Sequence, residues 1–231
     1  MPFYFWGIDG TYILVIIALL ISLLVQFNMN RTFQKYSRIR GASGLTGAQT
    51  AEQILRNAGI YHVRVEHIRG NLNDHYDPRS KVLKLSDPIY NSTSLAAVGV
   101  AAHECGHAIQ DAIGYAPLKI RSALVPAANF GSQLSWPLFI FGLIFSMRPL
   151  LLAGIILFCA ALLFQIVTLP VEFNASGRAL RMLESTGIMG YQETAGARKV
   201  LGAAALTYVA AVAASLLQLL RLILLARRSD D

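Results

Sequence analysis

Charge is what this chain has least of. Only 14% of its 231 residues are Asp, Glu, Lys or Arg, against about 25% in an ordinary soluble domain. The deficit falls in four places: Gly10 to Asn30, Ser122 to Met147, Leu150 to Val171 and Ala203 to Leu220 carry no charge at all. A wholly soluble globule is excluded by such runs, because about 20 apolar residues suffice for a helix to cross a hydrocarbon layer. Cysteine is nearly absent too. Cys159 lies in the middle of the third run, so depth rules out a disulfide to Cys105, and the count fits a reducing compartment. No basic residue precedes Arg31 and no small-residue cleavage site follows the first run, so an uncleaved anchor is expected rather than a signal peptide. Internal repeats and low-complexity tracts are also missing.

What is present is an organised alternation of apolar and polar segments. The expected order is transmembrane helices at 10–30, 122–147, 150–171 and 203–226, with polar segments at 31–121 and 172–202. The second helix is the weakest of the four, and its Asn129, Gln133 and Ser135 are expected to face protein rather than lipid. The net charge of +7 would ordinarily raise the question of nucleic acid. Its distribution answers differently. Arg31, Lys35, Arg38 and Arg40 follow the first run, Lys119 and Arg121 precede the second, and Arg178, Arg181, Arg198 and Lys199 lie between the third and fourth. Positive residues gather on the cytoplasmic side, so both polar segments are expected inside and no nucleic acid partner is implied. Arg227 and Arg228 dissent at the far end, with Asp230 and Asp231 offsetting them.

The larger polar segment reads as α+β. "TGAQTAEQILRNAG" is a helix capped by Thr46 and stopped by Gly59. "YHVRVEHI" and "KVLKLS" alternate as strands, joined by the turn-rich "RGNLNDHYDPRS". A second helix begins near Thr93 or Ser94 and carries "VAAHECGHAIQ". On it His103 and His107, four apart, share one face and can hold one metal ion between them. Glu104 stands one step round, placed as a base for a water at that metal. Chance, or two satisfied core histidines, is the plainer explanation of five residues. Cys105, about 200° round the helix from each histidine, is a packing residue.

Catalytic zinc takes three protein ligands and keeps one position open. Glu172 is the third candidate. Two spans separate it from His107, which returns the chain to the same side, and a carboxylate at the edge of lipid is costly unless paired or coordinated. His62 and His67 are expected to be solvent-facing or packing residues. His75, in "NDHYDP", has a structural turn role or orients substrate or a ligand.

"DHYDPRSKVLKLSDPIYNSTSLAAVGVAAHECGHAIQDAIGYAPLKIRSALVPAANFGS" followed by "LPVEFNASGRAL" resembles the YugP family of bacterial neutral zinc metallopeptidases. That family is similar in outline to HtpX-type membrane proteases and CAAX prenyl proteases. The resemblance implies one Zn2+ per chain on His103, His107 and Glu172, with Glu104 as catalytic base. It also implies an edge strand before the metal helix along which a peptide substrate lies extended. The sequence departs from it at Asn174, where the resemblance leads one to expect an acidic residue that would touch the ligands from behind. Among Arg178, His75 and Tyr76, the residue that steadies the oxyanion stays open.

The expectation is a mainly α membrane protein with four transmembrane helices and a cytoplasmic α+β, zincin-like metallopeptidase domain. It would be a membrane-embedded zinc metalloendopeptidase of the bacterial plasma membrane, multi-pass, acting through zinc-activated water with its active site facing the cytoplasm. Substrates would be membrane proteins or unfolded polypeptides, and a homo-oligomer or a regulatory membrane partner is compatible with it. The alternative is a non-catalytic membrane scaffold or adaptor that binds metal, but a scaffold has no use for Glu104. A transporter is disfavoured because only Arg221 interrupts the apolar runs.

Overall fold

The computed structural model of the chain describes residues 9–228. The described part is mostly helical: α1 (Tyr12–Ser37), α2 (Gly47–Asn57), β1 (Arg64–Ile68), β2 (His75–Asp77), β3 (Val82–Ser86), α3 (Asp87–Tyr90), α4 (Leu95–Ala112), α5 (Ala116–Ile144), α6 (Arg148–Ser185) and α7 (Tyr191–Arg228). Two compact units divide it. Asp230 and Asp231, read above as offsetting the last arginines, lie outside the described residues.

One unit holds the chain up to Gln26, Ile120–Leu169 and the chain from Thr207 onward. Three helices, α1, α6 and α7, are long and apolar enough to cross a membrane. The fourth expected span, on α5, is not among them. Its 29 residues give it the length, but Pro126, Asn129, Gln133 and Pro137 dilute the apolar run. Of its polar side chains only Ser135 is buried, at 2% exposure; Asn129 and Gln133 are exposed, contrary to expectation. Helical phase is the reason. Ala128, Gly131, Ser135, Phe139 and Gly142 recur every three or four residues on the buried face, and Asn129 and Gln133 fall off it. Along that face α5 and α6 meet backbone to backbone. A Cβ on Gly131 would stand 2.4 Å from the Leu157 carbonyl oxygen, and one on Gly154 2.8 Å from that of Ser135, the small-residue packing typical of helices in lipid. Between α6 and α7, Ser215 Oγ donates to Gln165 Oε1 at 2.8 Å. Arg221, the lone charge in its run, lies 4.2 Å from the centre of the Tyr12 ring, where the aromatic face offsets part of its charge.

The other unit holds Phe27–Lys119 and Pro170–Leu206. Thr46 caps α2 in a reciprocal box with Gln49, satisfying two backbone donors that the helix start leaves open. Gly59, at φ +73°, takes the left-handed turn that stops the helix. Ala51, Ile54 and Leu55 then bury one face of α2 in a core completed by Leu83 and Leu85 of the sheet and the small residues of α4.

The sheet differs from the two strands read in the sequence. Its order is β1-β3-β2, with β3 parallel to β1 and antiparallel to β2. The strand before α4, expected at an edge, is therefore central, and the edges are β1 and β2. β2 is three residues long inside a turn-rich stretch, too short for alternation to reveal. Asp74 secures the end of that stretch by accepting from the Ser86 backbone N–H at 2.7 Å and from its hydroxyl.

Candidate metal centre

Ser94 starts α4, its hydroxyl accepting from the Ala97 N–H at 3.2 Å. Beyond the cap the helix is built from Ala96, Ala97, Gly99, Ala101, Ala102, Gly106 and Ala108, nearly all fully buried. Small side chains let neighbours come close. The tightest approach is at Gly106, where a Cβ would stand 2.5 Å from the Ala175 carbonyl oxygen and 3.0 Å from its carbon. Even alanine would push α6 away. That approach, one residue before His107, brings the next turn of α6 against the two histidines.

α6 runs unbroken through Pro170 to Ser185, so Glu172 sits on a helix and shares a face with Ser176, four residues on. His103 Nε2 is 3.2 Å, and His107 Nε2 3.6 Å, from the same oxygen, Glu172 Oε2. One ligand atom from each of the three residues lies within 4.8 Å of the others. Glu172 is 2% exposed and His107 9%.

The second nitrogen of each ring is engaged behind the cluster. Gln110, fully buried, donates from Nε2 to the Val171 carbonyl at 2.8 Å and to Asn174 Oδ1 at 3.0 Å. A carbonyl can only accept, so the amide has one orientation, and its Oε1 faces His107 Nδ1 at 3.1 Å. His107 therefore carries a proton on Nδ1 and donates it to Gln110. His103 Nδ1 lies 3.0 Å from Ser176 Oγ, which can accept in the same way. Both Nε2 atoms then face one carboxylate oxygen, and only a cation between them, a proton or a metal, makes that arrangement favourable. The spacing suits a metal. With bonds of about 2.0 Å, neighbouring ligand atoms round a tetrahedral zinc stand roughly 3.3 Å apart. The donor set, two imidazoles and a carboxylate, is also one that zinc accepts.

Glu104 is 7% exposed, and its carboxylate makes no hydrogen bond or ion pair with protein among the described residues. A buried carboxylate without a partner is expensive. Cys105 points the other way, its Sγ 3.5 Å from the Ala51 carbonyl, and burial pushes its thiol well above the ordinary range.

The remaining residues singled out in the sequence occupy three different settings. Asn174 Oδ1 accepts from Arg178 Nε at 2.7 Å as well as from Gln110. An oxygen acceptor there serves two donors without a charge. The Arg178 guanidinium also lies 5.9 Å from the centre of the Tyr115 ring. His75 is exposed and its Nδ1 bonds the Asn73 carbonyl of its own turn at 2.8 Å. His67 pairs with Asp87 at 2.8 Å. Tyr76 donates its hydroxyl to Asp111 at 2.7 Å. Gln110, Ser176 and Gly106 did not stand out in the sequence. Helical spacing could have raised the first two, three residues past His107 and four past Glu172, but nothing in a sequence says which glycine touches another backbone.

Asp111, one turn past His107, also accepts from Lys81 Nζ at 2.5 Å. Burial pushes its carboxyl up, yet the Lys81 ammonium and the Tyr76 hydroxyl outweigh that and hold it below the usual carboxylate range. Burial first, and then the bond to Asp111, raise the Tyr76 phenol far above its ordinary value. Because the folded Asp111 value lies below the unfolded one of about 3.9, its stabilisation is complete above that pH and is lost as pH falls through the folded value. Asp111→Asn should cost about 1 kcal/mol at neutral pH after screening at the half-exposed Lys81. Thermal unfolding in detergent should show the gap to the parent closing below about pH 4. A gap of equal size in acid would mean that Asp111 contributes by shape alone.

Comparison with known proteins extends along almost the entire chain. A family model described as "Putative neutral zinc metallopeptidase" matches residues 11–227. A protein of Bacillus subtilis (strain 168) named "Putative membrane protease YugP" is 47% identical over 218 residues, covering 94% of this chain and 97% of that one. No solved structure matches. Since the matched region takes in α4, the Glu172 turn of α6 and all three apolar helices, the chain belongs to the neutral zinc metallopeptidase family.

Proposed function

We propose that this chain is a membrane-embedded zinc metalloendopeptidase that holds one Zn2+ on His103, His107 and Glu172 and uses Glu104 as general base. The observation that carries the reading is the convergence of two imidazole Nε2 atoms on one buried carboxylate oxygen, with a second buried carboxylate, Glu104, on the helix of the histidines and without a partner among the described residues. When bound there, zinc polarises a peptide carbonyl and brings the pKa of a water molecule towards 7. Glu104 would take a proton from the water as its oxygen adds to the peptide carbonyl carbon, and would return that proton to the amine nitrogen as the C–N bond breaks. Gln110 and Ser176 keep the histidines in the tautomer whose Nε2 can coordinate. Arg178 is the residue best suited to steady the oxyanion. The Tyr76 hydroxyl is committed to Asp111 and the His75 ring to its own turn, whereas the terminal nitrogens of Arg178 have no protein partner among the described residues. An extended peptide would lie along β2, the edge strand whose Tyr76 bonds Asp111 of α4.

The reading includes four passes. α5, at 29 residues, is roughly 43 Å long and can cross a layer of about 30 Å, and a pass by α5 returns the chain so that α6 can bring Glu172 back to α4. Together with the Lys/Arg distribution, four passes support a site on the cytoplasmic face of a bacterial plasma membrane. Membrane proteins and unfolded segments are the substrates such a position offers, with a second copy or a regulatory membrane protein as companion, and nucleic acid has no part. Purified in detergent, the chain should hold one zinc and hydrolyse a casein-like substrate, losing both to a chelator and regaining both with zinc. Full zinc with no hydrolysis under any condition would favour the scaffold. For orientation, single cysteines at Tyr61 and Tyr191, 80% and 86% exposed, should resist an impermeant thiol reagent in intact cells and react once the cells are opened. Rapid labelling of both in intact cells would place the site outside.

A further inference from the structure

A second feature of the Phe27–Lys119 and Pro170–Leu206 unit takes no part in this chemistry. A cleft of about 440 Å³ opens between α1 and α7. From α1 it is lined by Asn28, Arg31, Thr32 and Lys35, spaced i, i+3, i+4 and i+7 and therefore one face of that helix. From α7 come Lys199, Ala203 and Leu206, again one face. Tyr36, 8% exposed, forms its floor. The ring is wedged against α7 at Gly196, where a Cβ would come within 3.0 Å of it.

Among the described residues the lining carries three cations and no acid. None of Arg31, Lys35 and Lys199 makes an ion pair among the described residues. All three are exposed, so water weakens their mutual repulsion, and an anion seated between them would turn that repulsion into attraction. The position narrows the anion. On α1 no charge precedes Arg31 back to Gly10, and on α7 none follows Lys199 as far as Leu220. Both helices thus pass from charged to apolar sequence at the level of the cleft, where a membrane surface would lie. Its far wall, Ala203 with the 48%-exposed Leu206, is apolar and suits hydrocarbon. Basic pockets between membrane helices are where acidic headgroups settle.

We propose that this cleft binds one anionic phospholipid, with the phosphodiester held by Arg31, Lys35 and Lys199, Asn28 and Thr32 offering hydrogen bonds, and an acyl chain against Ala203 and Leu206. The inference rests on α1 and α7 crossing the bilayer and not on the peptidase reading, so either can fail alone.

Native mass spectrometry of the full chain released from detergent tests it, with phosphatidylglycerol, phosphatidylcholine and inorganic phosphate as probes. One phosphatidylglycerol should remain bound per chain at concentrations where phosphatidylcholine does not, and millimolar phosphate should not displace it. The triple variant Arg31→Gln/Lys35→Gln/Lys199→Gln should weaken that binding about a hundredfold, at about fivefold per cation. Lys35→Arg/Lys199→Arg should keep it. A charge-matched control, Arg38→Gln/Arg69→Gln/Arg79→Gln, should also keep it. Equal retention of phosphatidylcholine, or equal loss in the control, would overturn the site as general surface attraction. Displacement by phosphate would assign it to a free anion and overturn the lipid. The lipid selectivity and the phosphate competition use the parent protein, so they decide the matter even if the triple variant fails to fold.

Discussion

Glu104→Gln should keep its zinc and lose its chemistry. Glutamine preserves the shape and volume of a side chain that is 7% exposed and has no bonding partner among the described residues, so neither the fold nor the three-residue cluster has reason to change. What disappears is the basic oxygen. An amide oxygen does not take a proton near neutrality, and general base catalysis typically contributes about 10²–10⁴-fold. Hydrolysis should fall by about that much while metal content stays at one per chain. Removing an unpartnered buried carboxylate relieves a cost, so the variant should unfold at the same temperature as its parent or somewhat above it. Metal analysis, hydrolysis of a casein-like substrate and thermal unfolding on one preparation measure all three. A fully active variant would end the case for Glu104 as base, and with it most of the case for a peptidase.

Glu172→Gln should fail in the opposite order, with the metal going first. Glu172 Oε2 is the atom on which both imidazoles converge, and at 2% exposure no water can take its place easily. Glutamine presents a neutral, weaker oxygen or turns its NH2 towards the rings, and the site loses both a ligand and the negative charge that offsets a dication. Zinc affinity should drop by at least about a hundredfold, and the protein should emerge from purification depleted of zinc. Activity should return in part at high zinc, which Glu104→Gln cannot match. Titration against a competing chelator provides the affinity without reference to turnover. A Glu172→Gln protein with normal zinc affinity would remove the third ligand and reopen the assignment.

Much of the candidate site could be read before any fold was known, because it is written along single helices. His103 and His107 share a face by helical geometry alone, Ser94 announces the start of their helix, and Thr46 and Gly59 bracket another. The charge-free runs of α1, α6 and α7 mark helices fit for lipid through composition. Glu172 could be singled out because so few charged side chains border those runs. In each case the information is local: a repeat of 3.6 residues, a cap, or a count of charges over a length set by the bilayer.

Contacts between distant segments were decided only in three dimensions. Gly106 reads as one more small residue until Ala175 arrives 2.5 Å from where its Cβ would be. Gln110 reads as a polar residue on an apolar helix until the Val171 carbonyl fixes its amide and, through it, the proton on His107. β2 is three residues that become a strand only because β3 lies beside them, and that pairing moves the strand before α4 from the edge to the centre. On α5, Ser135 turns inward while Asn129 and Gln133 stay out, a matter of phase against α6. The basic residues flanking the apolar runs suggested sidedness in the sequence, and the approach of α7 to α1 turned Arg31, Lys35 and Lys199 into the walls of one cleft. Spacing along a chain determines which face a side chain occupies; which backbone comes to meet that face depends on how closely two surfaces can pack, and that is settled by the shapes of both.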